Sequence, residues 1–225
     1  MAIPVAIPPL PIQGDLTVPA GALGLVIFAH GSGSSRFSLR NQFVASQLQK
    51  DKLGTLLIDL LSGAEDEQQD YRFDIELLAN RLLQATAWAQ ATPSVQRLPI
   101  GYFGASTGAA AALMAAAEPT SPAYAVVSRG GRPDLAGSTL ALVRAPALLL
   151  VGSLDEAVLA FNGRALRQLN RQSELQIVDG ATHLFEEPGT LGEVARKAGQ
   201  WFLRHLPNRA GSHDELSKNT KHWGL

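Results

Sequence analysis

Three residues have the types needed for nucleophilic acyl transfer: Ser106, Asp155 and His183. Ser106 is the centre of a Gly-x-Ser-x-Gly pentapeptide, Gly104-Ala105-Ser106-Thr107-Gly108, which closes a short apolar run from Leu98 to Phe103. A strand that turns abruptly into a helix needs glycines where side chains would collide, and it leaves the central residue strained and projecting. The helix-forming run Ala109 to Met114 supplies the far side of that turn. A serine hydroxyl is a poor nucleophile at neutral pH until a base takes its proton, a task suited to imidazole.

Five histidines compete for that role. His205 falls in a final amphipathic helix, and His213 and His222 fall in a polar tail; all three read as solvated surface residues. His183 stands in the loop Asp179-Gly180-Ala181-Thr182-His183-Leu184-Phe185, just beyond an apolar run. A carboxylate must then orient the imidazole. Asp155, in Gly152-Ser153-Leu154-Asp155, follows another apolar run, with Asp134 and Asp179 as competitors. Ser106, Asp155 and His183 each lie beyond a separate predicted strand, where ligands of open parallel sheets bind.

The loop His30-Gly31-Ser32-Gly33-Ser34-Ser35 supplies a further part. An oxyanion hole needs one backbone N–H just after the nucleophile, here Thr107, and one from a loop after an earlier strand, here Ser32 or Gly31. His30 is expected to brace that loop, and it is also carried as a substrate contact. Arg129 and Arg132, just past a strand end, are candidates to recognise an acidic substrate group; with Asp134 they equally read as a solvated surface cluster. A dinucleotide fingerprint over Gly31 to Arg36, with Asp59 on a ribose, is the rival reading. Arg36 stands where that fingerprint needs a small residue.

The elements that must carry these loops alternate. Residues 22–29, 53–60, 98–105, 125–129, 147–152 and 175–178 read as strands, and 38–50, 74–91, about 156–169 and 190–206 as helices. Phe43, Val44 and Leu48 are expected to trace one face of the first helix. Residues 3–20 suggest an antiparallel edge hairpin turning at Gln13-Gly14-Asp15, and the acidic stretch 62–70 a surface loop. The pattern predicts an α/β fold with a mostly parallel sheet covered by helices on both faces. One domain is expected over 1–206, followed by a polar tail over 207–225 whose Trp223 hints at docking.

Composition bounds the rest. In 225 residues, 46% are hydrophobic and 17% charged, the net charge is −1, and there is no cysteine. Disulfides, thiolate metal sites and a cysteine nucleophile are thereby excluded. The small net charge argues against nucleic acid or an anionic membrane as partner, and no apolar run approaches the roughly 20 residues of a membrane helix. The apolar N-terminus lacks a basic region and is broken by Pro4, Pro8 and Pro9, so it does not read as a signal peptide. A cytoplasmic enzyme acting on a small molecule, without metal or organic cofactor, is expected; a homodimer is left open.

These residues together resemble an α/β-hydrolase of the dienelactone-hydrolase-like group over about 22–206. The resemblance rests on His30 to Ser35, Gly104 to Gly108, Gly152 to Asp155 and His183-Leu184-Phe185-Glu186-Glu187-Pro188-Gly189. The serine–aspartate–histidine chain order is that of the α/β-hydrolase arrangement. The elbow and the segment after His183 are also similar to hydrolase domains fused to phosphoribosyltransferases or standing alone in bacteria. The founding dienelactone hydrolases carry a cysteine at the elbow; with Ser106 there, the resemblance implies a serine carboxylesterase-type activity. Only residues 130–146 separate two of the strands, too few for a lid, so an open, uncapped site is expected. An acyltransferase, a peptidase, or a non-catalytic binding module of the same fold are the alternatives.

Overall fold

The computed structural model describes residues 1–9 and 12–207. Among them, eight strands make one sheet: β1 (Ile3–Ile7), β2 (Ile12–Thr17), β3 (Gly24–Ala29), β4 (Leu53–Ile58), β5 (Ile100–Ala105), β6 (Ala123–Arg129), β7 (Ala147–Gly152) and β8 (Glu174–Val178). Their order is β1-β2-β4-β3-β5-β6-β7-β8. β1 and β2 run antiparallel to their neighbours, and all the other pairs are parallel. Every residue of β3, β4, β5 and β7 is buried, which is why they read as unbroken apolar runs.

Helices α1 (Leu39–Lys50), α2 (Gly63–Asp66), α3 (Gln69–Phe73), α4 (Ile75–Ala91), α5 (Thr107–Ala117) and α6 (Glu156–Leu166) occupy the connections, and α7 (Thr190–Arg204) follows β8. Successive residues of a strand face opposite sides, so β3 feeds two cores. Leu25 and Ile27 pack with Leu78 and Leu82 of α4 and the alanines of α5. Val26 and Phe28 pack with Val44 and Leu48 of α1 and Trp201 and Phe202 of α7. The alanine run of α5 is buried on nearly every side, which lets that helix lie close between β5 and α4.

Four expectations change in detail. The hairpin reverses between Ile7 and Ile12, and Gln13-Gly14-Asp15 lies inside β2. A Cβ on Gly14 would stand 3.1 Å from Leu56 Cδ1, so this glycine serves close strand packing rather than a turn. β2 pairs on both sides; β1, carrying Pro4, is the edge. Phe43 is exposed, and α1 instead buries Asn41, Val44, Ala45 and Leu48. The acidic stretch holds α2 and α3, the first capped by Ser62 and Glu65 in a reciprocal box. Residues Pro133–Leu142 form a 3₁₀ segment, and no cap domain is inserted among the described residues. The tail beyond residue 207, with His213, His222 and Trp223, lies outside the described residues. No helix of the described residues is long and apolar enough to cross a membrane.

Candidate active site

Ser106 sits between β5 and α5 with φ 50° and ψ −119°, a left-handed backbone that a non-glycine residue adopts only under constraint. Its N–H donates to the Arg129 carbonyl at 3.2 Å, and its own carbonyl accepts from the N–H groups of Ala109 and Arg132, both at 3.1 Å. The flanking glycines are sterically required. A Cβ on Gly104 would come within 2.7 Å of the Ala109 nitrogen, and one on Gly108 within 2.7 Å of the Ala29 carbonyl carbon. The turn is therefore tight because α5 starts against both its own strand and the end of β3.

Asp155 stands at the start of α6, yet its side chain makes no helix cap. The carboxylate is turned instead to His183, with Oδ2 2.6 Å from Nδ1. In the neutral ring, an Nδ1–H donated to Asp155 leaves Nε2 free to accept a proton. The competitors are occupied elsewhere: Asp134 pairs with Arg132 at 2.8 Å, and Asp179 accepts from Ser153 Oγ at 3.3 Å. Glu187 holds the His183 loop by accepting from the Thr182 N–H at 3.1 Å, and buried Phe185 takes a left-handed φ of 56°. Ser106 and His183 line one cavity of about 260 Å³.

The loop after β3 closes another wall. A Cβ on Gly31 would stand 3.1 Å from Ser106 Cβ. The Ser32 N–H donates to Thr107 Oγ1 at 2.8 Å, tying the two expected oxyanion arms together. His30 is 5% exposed and braced from both sides. Its Nε2 accepts from the Leu60 N–H at 2.9 Å, so Nδ1 carries the proton and donates to the Gly31 carbonyl at 2.9 Å. Burial lowers its pKa below the usual imidazole value. With both nitrogens engaged, His30 is placed as a brace and not as the substrate contact expected. Arg36 fixes the far end of the loop: its guanidinium pairs with Asp59, and its N–H donates to Asp59 Oδ1 at 2.8 Å. Asp59 is thus taken up structurally, against the ribose role of the dinucleotide reading.

Two arginines were expected to meet substrate, and the fold separates them. Arg132 pairs with Asp134, lies over the Phe161 ring at 4.8 Å, and does not line the Ser106 cavity. Arg129 does line it, is 8% exposed, and has Nε and Nη1 buried without a partner among the described residues. Burial, and secondarily the positive charge of Arg40, pull its pKa down to about 10. Arg40 and Asn41 also line the cavity and were missed by sequence reasoning. Arg40 Nη1 donates to Glu186 Oε1 at 3.0 Å across 146 residues, a pairing with no local signature.

No family model matches the chain. Over 198 residues, 88% of its length, it is 55% identical to proteins from two strains of Mycobacterium tuberculosis that carry the provisional name phosphoribosyl transferase. It spans 45% of the length of these relatives. It is 53% identical to a solved dienelactone hydrolase from Anabaena variabilis, with a TM-score of 0.87 covering 92% of this chain and 98% of that one. Est1E from Butyrivibrio proteoclasticus shares the fold at 16% identity, with a TM-score of 0.75 over 91% of this chain and 98% of that one.

Proposed function

The chain belongs to the dienelactone hydrolase family of α/β-hydrolases, and on that premise we propose that it is a serine hydrolase cleaving small esters through an acyl-enzyme. The observation that carries this reading is the turning of Asp155 away from its helix to hold His183 at 2.6 Å, with His183 and Ser106 on one cavity.

In this mechanism Ser106 Oγ attacks the acyl carbonyl while His183 Nε2 takes its proton. Asp155 keeps the Nδ1–H tautomer and stabilises the imidazolium that forms. The developing oxyanion is held by the N–H groups of Thr107 and Ser32. Because the Ser32 N–H donates to Thr107 Oγ1 in the unliganded site, it must pass from that hydroxyl to the substrate oxygen as charge develops. His183 then returns its proton to the leaving oxygen, and a water activated by the same imidazole releases the acyl group. A cavity of about 260 Å³, with no cap domain over it among the described residues, suits small, short-acyl substrates.

Ser106→Ala is the direct test. It should abolish p-nitrophenyl acetate turnover and labelling by a fluorophosphonate probe. Turnover that survives the substitution would assign the chemistry to another nucleophile.

A further inference from the structure

Beside the proposed catalytic residues, the same cavity holds positive charge that the hydrolytic chemistry does not use. Arg129 is more than nine-tenths buried, and two of its guanidinium nitrogens have no partner among the described residues. Leaving such donors desolvated and unpaired is costly, and a second guanidinium nearby raises the cost. Arg40 is that second group: it depresses the Arg129 pKa, and its carboxylate partner, Glu186, is largely exposed. Ser34 and Ser38, on the loop that leads into α1, line the same cavity, and Ser38 caps the helix by accepting from the Asn41 N–H at 3.4 Å. A helix start directs free N–H groups and the positive end of its dipole at whatever lies before it.

We propose that this wall is a phosphate-binding subsite, so that the substrates are acyl esters of small phosphorylated alcohols. This rests on the serine hydrolase reading and names its substrate class. A carboxylate offers one charge and two acceptor oxygens, fewer than two guanidinium groups and the hydroxyls lining the cavity can engage. A phosphate monoester carries a charge of about −1.5 to −2 at pH 7 and three acceptor oxygens, which suits two guanidinium groups and a hydroxyl-lined helix start.

The position of the subsite assigns the phosphate to the alcohol part. Gly130, next to Arg129, lies so close to His183 that a Cβ there would be 3.5 Å from the imidazole Cε1. Arg40 is tied to Glu186 in the His183 loop. Arg40 is thereby tethered to the loop that carries the imidazole, and both arginines share a cavity with His183, the group that protonates the leaving oxygen. The Ser32 and Thr107 N–H groups come from the β3–β5 side, where the acyl oxygen is held.

The test compares kcat/KM on three acetate esters that differ only at the far end of the alcohol: 2-acetoxyethyl phosphate, 3-acetoxypropanoate and 2-methoxyethyl acetate. The phosphate ester should exceed the neutral ether by about tenfold or more, and this ratio should collapse in Arg129→Gln and shrink in Arg40→Gln. Inorganic phosphate should inhibit p-nitrophenyl acetate turnover competitively and raise the melting temperature of the wild-type chain, but not of the two variants. Equal rates on the three esters overturn the anion subsite, and a faster carboxylate ester overturns its assignment to phosphate. Absent fluorophosphonate labelling of the wild type condemns the hydrolase reading instead. In that case the melting temperature with inorganic phosphate still decides the subsite: no rise overturns it.

Discussion

Two walls of one cavity are built on opposite principles. On the β3–β5 side, the backbone is packed to its limit and its polar groups are paired. Gly104 and Gly108 cannot carry a Cβ, the Ser32 N–H is bonded to Thr107, and both nitrogens of His30 are spent on the loop it supports. On the α1–β6 side, the side chains are long, and buried nitrogens of Arg129 and Arg40 have no partner among the described residues. The first wall is complete without a ligand; the second is not. Under the proposed function this divides the labour: the closed wall would hold the reacting atoms in place, and the open one would select what reacts.

The sharpest way to test the closed wall is to remove what orients its base. Asp155→Asn preserves shape but favours the wrong imidazole tautomer, so under the proposed mechanism kcat should fall by about 10³- to 10⁴-fold, the loss known for serine–histidine–aspartate sites. Asp134→Asn, beyond the cavity and paired with Arg132, should change kcat by less than about twofold, since it breaks only a partly exposed ion pair. Comparable losses in the two variants would erase the distinction between them.

Steric dictation gives the next largest effect. Gly108→Ala puts a methyl group against the backbone at the end of β3, where nothing flexible can yield. The expected cost is about 3 kcal/mol or more in urea unfolding, at the upper end for overpacking. Arg40→Gln on the open wall should cost less than about 1 kcal/mol, because its bridge to Glu186 is largely exposed. If Gly108→Ala unfolds at the wild-type midpoint, the turn is not held by close approach of the backbone.

The same division explains how much was legible in the sequence. The closed wall is local: Gly-x-Ser-x-Gly, the His30 to Ser35 loop and the apolar runs before them are contiguous, and steric need writes itself into glycine positions. Strands buried on both faces lose alternation and read as unbroken runs, so β3, β4, β5 and β7 were found close to their true limits. The open wall has no such signature. Arg40 reaches the cavity only because α1 packs beside the His183 loop, and Arg129 and Arg132, three residues apart, part ways because the chain turns at Gly130. Gly14 misled for a related reason, since a glycine required by a neighbouring strand looks the same in sequence as one required by a turn.

His30 makes the closed wall sensitive to acid. It is buried neutral, with its pKa below the imidazole value of the unfolded chain, about 6.5. As pH falls below about 6.5 the unfolded chain takes up a proton that the folded chain refuses, so this residue's share of stability declines toward its lowered folded pKa. Urea midpoints at pH 8 and pH 5 should therefore differ less in His30→Gln than in the wild type. An undiminished difference would locate the acid sensitivity elsewhere.

The smallest effect concerns the bond in the closed wall that the proposed mechanism breaks. The Ser32 N–H donates to Thr107 Oγ1 at 2.8 Å, so the hydroxyl stabilises the free enzyme and competes with the oxyanion. Interactions that stabilise the ground state and are lost in the transition state slow the reaction. Thr107→Val keeps the shape and removes the acceptor, leaving the N–H unpaired until substrate arrives. At a net worth of about 1 kcal/mol for such a bond, kcat/KM should rise about two- to fivefold while stability falls slightly. A decrease in kcat/KM would mean that the hydroxyl holds the Ser32 N–H in its productive direction, and that even a satisfied donor in this wall is there to serve the transition state.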